Sequence, residues 1–280
     1  MARKNLFAGL DQDLQIALRA QLRDLWTHTS TALEGNSLTL GDTAFILAEG
    51  LTVAGKPLKD HYEVVGHARA IELLYHWIER TTPLVESDLF QLHRAVQTEV
   101  IVDIYSPVGA WKNEPNGTYY IDPHNRQAWR EYAQPKHVPA LMGDWLASLN
   151  QTLTGDLDRD AALTAYTRLH LAFTRIHPFF DGNGRMARLI ANLPLLQSGF
   201  PPIVVARERR REYIKLLVAY DSAHGQAQLG QPLLEEGSEL QTLEGFFADN
   251  WQETQDLLEN MRQIQHHRSQ NKEQSIQEPK

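Results

Sequence analysis

The chain predicts an all-α fold with one short β-hairpin, and three observations carry that prediction. Apolar residues recur at three- and four-residue steps through most of the 280 positions, the spacing of helical stripes. Gly- and Pro-containing breaks separate these stripes. Strand-type alternation around a turn signal is confined to a single place, residues 105–121. About half the chain or more is therefore expected to be helical, above the usual third.

The elements follow in order. Leu10, Leu14, Leu18, Leu22, Leu25 and Leu33 define a first helix that Gly35-Asn36 stops. A second is predicted over Leu40–Ala48, and a third over Asp60–Glu79, where Val64, Ala68, Ile71, Leu74, Tyr75 and Ile78 share a face and Thr81-Thr82-Pro83 follows. Ser87 and Asp88 are predicted to cap a fourth helix with the stripe Leu89, Leu92, Val96 and Val100. Ala110-Trp111-Lys112-Asn113, a turn at Glu114-Pro115-Asn116-Gly117, and Thr118-Tyr119-Tyr120-Ile121 read as a β-hairpin, because Asn-Gly accepts positive φ and β-branched and aromatic residues flank it. Further helices are predicted over Pro139–Leu153, Asp158–Ile176, Gly182–Ser198, Arg207–Ala223 and Leu240–His267. The polar stretch Ser269–Lys280 holds few apolar residues and is expected to be disordered.

Composition narrows the function. Lys plus Arg number 27 against 35 Asp plus Glu, a formal charge of −8, and there is no Cys. Disulfides, Cys-ligated metals and thiol nucleophiles are excluded. The acidic balance argues against nucleic-acid binding, which a surplus of cations drives. No apolar run is long enough for a signal peptide or a membrane span, so a cytoplasmic protein without membrane association is expected. The twelve His form no metal-binding array. Single residues such as His61, His93 and His170 are read as structural groups.

One segment carries chemistry: His177-Pro178-Phe179-Phe180-Asp181-Gly182-Asn183-Gly184-Arg185-Met186-Ala187-Arg188. Gly182, Asn183 and Gly184 lie between a loop and a helix, where free backbone N–H groups and the positive end of the helix dipole suit phosphate. Arg185 and Arg188, three apart, present two guanidinium groups to a polyphosphate. Asp181 offers a hard oxygen for Mg²⁺ shared with phosphates. His177 takes a proton near neutral pH. Together they describe transfer of a phosphate-containing group to a hydroxyl.

The segment matches every fixed position of the Fic-family motif HxFx(D/E)GNGRxxR, eight constrained positions in twelve. At roughly one in twenty per residue type, chance agreement is on the order of 10⁻¹⁰ per start position. About residues 10–250 resemble the family, whose members are all-helical with a hairpin called the flap. The resemblance implies a protein adenylyltransferase that moves AMP from Mg²⁺-ATP to a Ser, Thr or Tyr hydroxyl of a target protein. It implies that His177 is the base, that Asp181 holds Mg²⁺, and that Gly182, Asn183 (backbone and side chain) and Gly184 cradle the phosphates. Arg185 would neutralise their developing charge, and Phe179 would anchor the loop. Tyr213 and Asp221 fall near positions that line the base pocket in relatives. Asp221 stands where some relatives carry Asn. The flap residues Ala110, Trp111, Lys112, Gly117, Thr118, Tyr119 and Tyr120 would bind the target by strand addition.

Ser30-Thr31-Ala32-Leu33-Glu34-Gly35 fits the family's inhibitory pattern (S/T)xxxE(G/N). Ser30, Glu34 and Gly35 thus mark a brake in which Glu34 pairs with Arg188, which otherwise binds the γ-phosphate. The implied organisation is an inhibitory segment over 1–36, a Fic domain over 37–250 with its core at about 85–225, and a helix end with a disordered tail over 251–280. A homodimer is expected from the family. Alternatives at this point are removal of AMP from a modified target, with Glu34 as base, transfer of another nucleotide or phosphate-containing group, and a non-catalytic nucleotide-binding module. The intact Gly184 disfavours the phosphotransfer of Doc relatives. The complete set His177, Asp181, Asn183, Arg185 and Arg188 disfavours the module.

Overall fold

The computed structural model describes residues 5–97, 107–121 and 126–277. Its helices are α1 (Gln12–Ala32), α2 (Leu40–Glu49), α3 (Leu58–Trp77), α4 (Glu86–Val96), α5 (Val138–Thr152), α6 (Arg159–Ile176), α7 (Asn183–Ile190), α8 (Leu193–Gln197), α9 (Arg210–His224) and α10 (Ser238–Gln277). An antiparallel pair, β1 (Gly117–Ile121) and β2 (Gln127–Glu131), is the only sheet among the described residues. Helix α6 is central, packing on α5, α7, α8 and α10. Its buried Tyr166 and Phe173 join Trp145, Phe179 and Phe247 in the main core.

Local chemistry explains the boundaries. Asp158 Oδ1 accepts from Ala161 N–H at 2.9 Å and starts α6. Thr39 and Asp42 form a reciprocal capping box at α2. Helix α1 ends where Gly35 takes φ +100°, a conformation that favours glycine. Its stripe of Leu14, Leu18 and Leu22 packs with Leu258 and Met261 of α10.

Four expectations are corrected. The hairpin does not run from Ala110 to Ile121. Strand β1 pairs with β2, Gly117 opposite Glu131 and Tyr119 opposite Trp129. The reason is that residues 110–116 are tied to the motif loop: Lys112 N–H donates to Pro178 O at 2.9 Å, and Asn116 Nδ2 to Phe179 O at 2.9 Å. The predicted helix over Gly182–Ser198 divides into α7 and α8, because Pro194 lacks the N–H that would continue the ladder. Asn192 fills the break, donating to Arg188 O and accepting from Ile203 N–H. Helix α4 begins at Glu86, ahead of the predicted Ser87 cap, with Asp88 Oδ2 accepting from Val85 N–H at 2.9 Å. Val100, placed on its stripe, lies outside the described residues.

The fourth correction concerns the tail. Helix α10 runs on through Gln277 rather than giving way at Ser269. Arg268 pairs with Asp13 at 2.8 Å and Lys272 with Asp11 at 3.7 Å, joining this polar end to the start of α1.

Candidate active site

The motif occupies the turn from α6 into α7. His177 closes α6 in the left-handed region, φ 52° and ψ 59°, the only non-glycine with positive φ among the described residues. Its Nδ1 lies 3.2 Å from Thr174 O. A carbonyl only accepts, so Nδ1 carries the proton and Nε2 keeps a free lone pair. Tyr132 stacks on the imidazole at 3.7 Å, nearly parallel. Burial drives the His177 pKa down to about 4, opposed by the Thr174 carbonyl and reinforced by the Lys112 charge. The ring is neutral at physiological pH, the state a general base requires.

The loop is rigidly held. Phe179 is fully buried and stacks on His93 at 3.9 Å, the anchoring role expected of it. His93 Nδ1 accepts from Gly109 N–H at 2.9 Å, so Nε2 donates to Asp181 O at 3.0 Å. The Asn183 side chain is committed here too: Oδ1 accepts from Phe179 N–H at 2.9 Å and Nδ2 donates to Phe179 O at 2.8 Å. This corrects the expectation that the Asn183 side chain cradles phosphate, since both its polar atoms fasten the loop. The backbone nest remains. Met186 N–H makes the first bond of α7, to Gly182 O at 2.9 Å, so the amides of Asn183, Gly184 and Arg185 precede the ladder.

Around this nest stand the charges. Arg188, buried, donates from Nη2 to Glu34 Oε1 at 2.6 Å and to Ser30 O at 2.9 Å, and from Nε to Ser30 Oγ at 3.1 Å. The bond from Ser30, Glu34 and Arg188 is made as the inhibitory pattern implies. Burial pushes the Glu34 carboxyl up, but the Arg188 charge and hydrogen bond outweigh it and leave the pKa below its ordinary value. Gly184 permits this approach: a Cβ there would lie 2.5 Å from Glu34 Oε1, so the carboxylate would have to shift. Arg185 reaches Gln97 Oε1 at 3.3 Å, Asp181 Oδ2 at 3.5 Å and Glu63 Oε1 at 3.8 Å.

Asp181 keeps 70 % of its side-chain surface exposed, and Gln97 Nε2 donates to its Oδ2 at 3.1 Å. Burial raises its carboxyl, yet Gln97 and Arg185 bring the pKa below the ordinary value, so it is ionised. No group of three or more His, Asp or Glu able to hold a metal exists among the described residues. An ionised, exposed carboxylate beside a phosphate nest fits a cation that takes its other ligands from phosphate oxygens and water, the habit of Mg²⁺.

These groups line a cavity of about 300 Å³, with Glu34 from the turn after α1, Lys59 and Glu63 from α3, and Arg210 and Tyr213 from α9. Larger concavities of about 590 and 600 Å³ contain no residue of 177–188. Tyr213 is brought to the site, but close to Arg188, whose charge acts on it, and its hydroxyl hydrogen-bonds His170 Nε2 at 2.9 Å. Asp221 is not brought to this cavity. It meets Arg175 Nε at 3.0 Å and Arg130 Nη1 at 3.3 Å, and burial raises its carboxyl against both cations. Lys112 is buried, not presented to a target; its Nζ donates to Asn116 Oδ1 at 2.5 Å, and burial lowers its pKa to about 8. Ala110 and Trp111 lie outside the sheet, and the Trp111 ring packs 5.1 Å from Phe179. Gly117, Thr118, Tyr119 and Tyr120 do lie in β1, with Tyr119 exposed.

Sequence reasoning missed Gln97, Glu63 and Arg210 at the site; it read His93 as a structural group, and the ring's stacking on Phe179 and its bond to Asp181 O are of that kind. Arg210 Nε donates to Leu33 O at 2.6 Å, holding the end of α1.

Residues 83–195 match the Fic/DOC family profile. The protein adenylyltransferase fic-1 of Caenorhabditis briggsae is 31 % identical over 243 residues, covering 81 % of this chain and 44 % of that protein. The chain thus spans under half the length of that curated relative. A crystal structure of a Fic domain containing signaling protein from Bacteroides thetaiotaomicron superposes with a TM-score of 0.74 at 26 % identity, over 91 % of this chain and 96 % of that one. Fic-1 from C. elegans superposes with a TM-score of 0.64 at 26 % identity, over 89 % of this chain and 65 % of that one. With the twelve-residue motif seated at the α6–α7 turn and these relatives along most of its length, the chain belongs to the Fic/DOC family.

Proposed function

We propose that the protein is a self-inhibited protein adenylyltransferase that moves AMP from ATP to a Ser, Thr or Tyr hydroxyl of a target protein. The observation that carries this reading is the neutral His177, its Nε2 lone pair free, beside the backbone nest of α7. His177 Nε2 takes the hydroxyl proton as the oxygen attacks the α-phosphorus. The bond from that phosphorus to the bridging oxygen breaks, and pyrophosphate leaves. The nest amides and Arg185 stabilise charge on the phosphates. Asp181 would hold Mg²⁺, which supplies further neutralisation when bound. The Glu34–Arg188 pair at 2.6 Å withholds one cation from the nucleotide, and this is the brake.

A second reading, removal of AMP from a modified target, is favoured by the placement of Glu34. Its carboxylate is ionised, lines the cavity and keeps 39 % of its side-chain surface exposed, which suits a base that directs water onto a phosphodiester. Wild type and Glu34→Gly incubated with ATP, GTP, UTP and CTP labelled at the α-phosphate, followed by intact mass, test the proposal. Transfer of AMP by Glu34→Gly supports it. Absence of any nucleotidyl adduct, or a strong preference for another nucleotide, overturns it.

A further inference from the structure

The flap is fastened to the body at both ends, and the fastening farther from the motif has no place in the transfer chemistry above. At the near end Lys112 N–H and Asn116 Nδ2 bind the motif loop at Pro178 O and Phe179 O. At the far end Arg130, in β2, reaches across to α9. Its Nη2 donates to Ser222 Oγ at 2.9 Å, its Nη1 pairs with Asp221 Oδ2 at 3.3 Å, and its guanidinium covers the Tyr120 ring of β1 at 4.5 Å. Gln226 Nε2 adds a bond to Glu131 O at 2.7 Å.

Asp221 is itself fixed from below. Arg175, near the end of α6, donates from Nε to Asp221 Oδ1 at 3.0 Å, from Nη2 to Gly225 O at 2.8 Å, and from Nη1 to Leu233 O. Arg130 and Asp221 keep only 12 % and 15 % of their side-chain surface exposed and Arg175 only 4 %, so solvent and salt screen the chain of charges little. The chain therefore runs from the helix that ends at His177, through Asp221 of α9, to strand β2 of the hairpin. Two residues beyond Arg130, Tyr132 lies flat on the His177 ring. Any movement of β2 at Arg130 thus also moves the ring that covers the base.

We propose that Arg175, Asp221 and Arg130 form a latch that sets the height of the flap above His177, making Arg130 and Asp221 positioning residues for the acceptor hydroxyl rather than readers of the nucleotide base. Each oxygen of Asp221 is paired with a guanidinium group, one from α6 and one from β2, so its charge is committed to joining these elements, and it does not line the cavity that holds His177. The latch rests on the AMP-transfer reading, and its test separates the two.

In a Glu34→Gly background, self-modification is followed against ATP concentration, and hydrogen exchange is followed in β1 and β2. Arg130→Ala is expected to lower the maximal rate about tenfold, the size of a misplaced reacting group, with the KM for ATP changed by less than about twofold. Exchange at the strand amides should quicken. Arg130→Lys, which retains the charge but not the fork, should recover part of the rate. A tenfold rise in the KM for ATP at unchanged maximal rate would overturn the latch in favour of base recognition. Unchanged rate and exchange would overturn it as well. Should Arg130→Ala fail to fold, Arg130→Lys and Asp221→Asn carry the same two readouts. If the Glu34→Gly parent transfers nothing, the transfer reading fails, and exchange alone decides the latch: faster in Arg130→Ala supports it, unchanged refutes it.

Discussion

Arg188 Nη2 and Glu34 Oε1 lie 2.6 Å apart although 154 residues separate them in the chain. The pair joins the end of α1 to the second turn of the helix that opens the phosphate nest. Arg188 makes two further bonds to Ser30, so the guanidinium is turned toward α1.

Removing the carboxylate should release it. Glu34→Gly is expected to raise self-modification with α-labelled ATP by about tenfold or more, because it frees a buried cation for the nucleotide. Glu34→Gln should lie between the two, keeping the hydrogen bond and losing the charge. Autoradiography of purified protein reads the effect.

His177 sets the acid limb. Its folded pKa of about 4, against an ordinary 6.5, means that the base stays neutral at pH 5. The kcat/KM for ATP should hold through pH 6 and fall only on approach to pH 4. Stability follows the same sign: the histidine's contribution is complete above 6.5 and is lost as pH falls toward 4, where the folded state must take up a proton it disfavours. Lys112→Met removes a cation that lowers the imidazole, so the acid limb should move upward. His177→Ala should abolish transfer in the Glu34→Gly background.

Gly184 and Glu34 should couple. A methyl at Gly184 would sit 2.5 Å from Glu34 Oε1 and 3.0 Å from Arg188 Nη1. Gly184→Ala should therefore destabilise the wild type more than it does Glu34→Gly, with a coupling of about 1 kcal/mol measurable by urea unfolding of the double-mutant cycle. Additive effects would mean that the carboxylate does not occupy that space.

Asn183→Ala should cost about 1–3 kcal/mol, since it strips the partner from the N–H of buried Phe179 and one of the two donors from its C=O, Asn116 Nδ2 remaining. Thermal melting checks the loss. Asn183→Asp should cost less, because a carboxylate still accepts from the N–H and Asn116 Nδ2 still donates to the carbonyl.

Much of this was legible from residues alone. The stripes of α1, α3, α5 and α6 are local patterns, and Asp158 or Gly35 mark their ends by chemistry within a turn or two. The motif was legible because its groups lie within twelve residues, and Glu34 because a short pattern points to it. What escaped depends on partners distant in sequence. Gln97 meets Asp181 across 84 residues, and His93 meets its carbonyl across 88. Strand β2 is five mixed residues with no periodicity to announce it, and its register is fixed by Gly117, whose missing side chain admits Trp129 and the Arg130 carbonyl. Asp221 resembled a pocket residue by position, while the guanidinium groups that claim it come from β2 and α6.

The docking of α10 along α1 has a mechanical consequence. Leu14, Leu18 and Leu22 are sealed against Leu258 and Met261, while Arg268 and Lys272 grip the opposite end at Asp13 and Asp11. Peeling the whole helix away would expose those leucines at about 1.5–3 kcal/mol apiece. The turn after Ala32 is held as well, by Arg210 at Leu33 O and by its own backbone bonds, so the least costly release is a rotation of the half-exposed Glu34 side chain alone. Helix α1 thus serves as a fixed post, and the proposed brake is a pawl carried just past its tip.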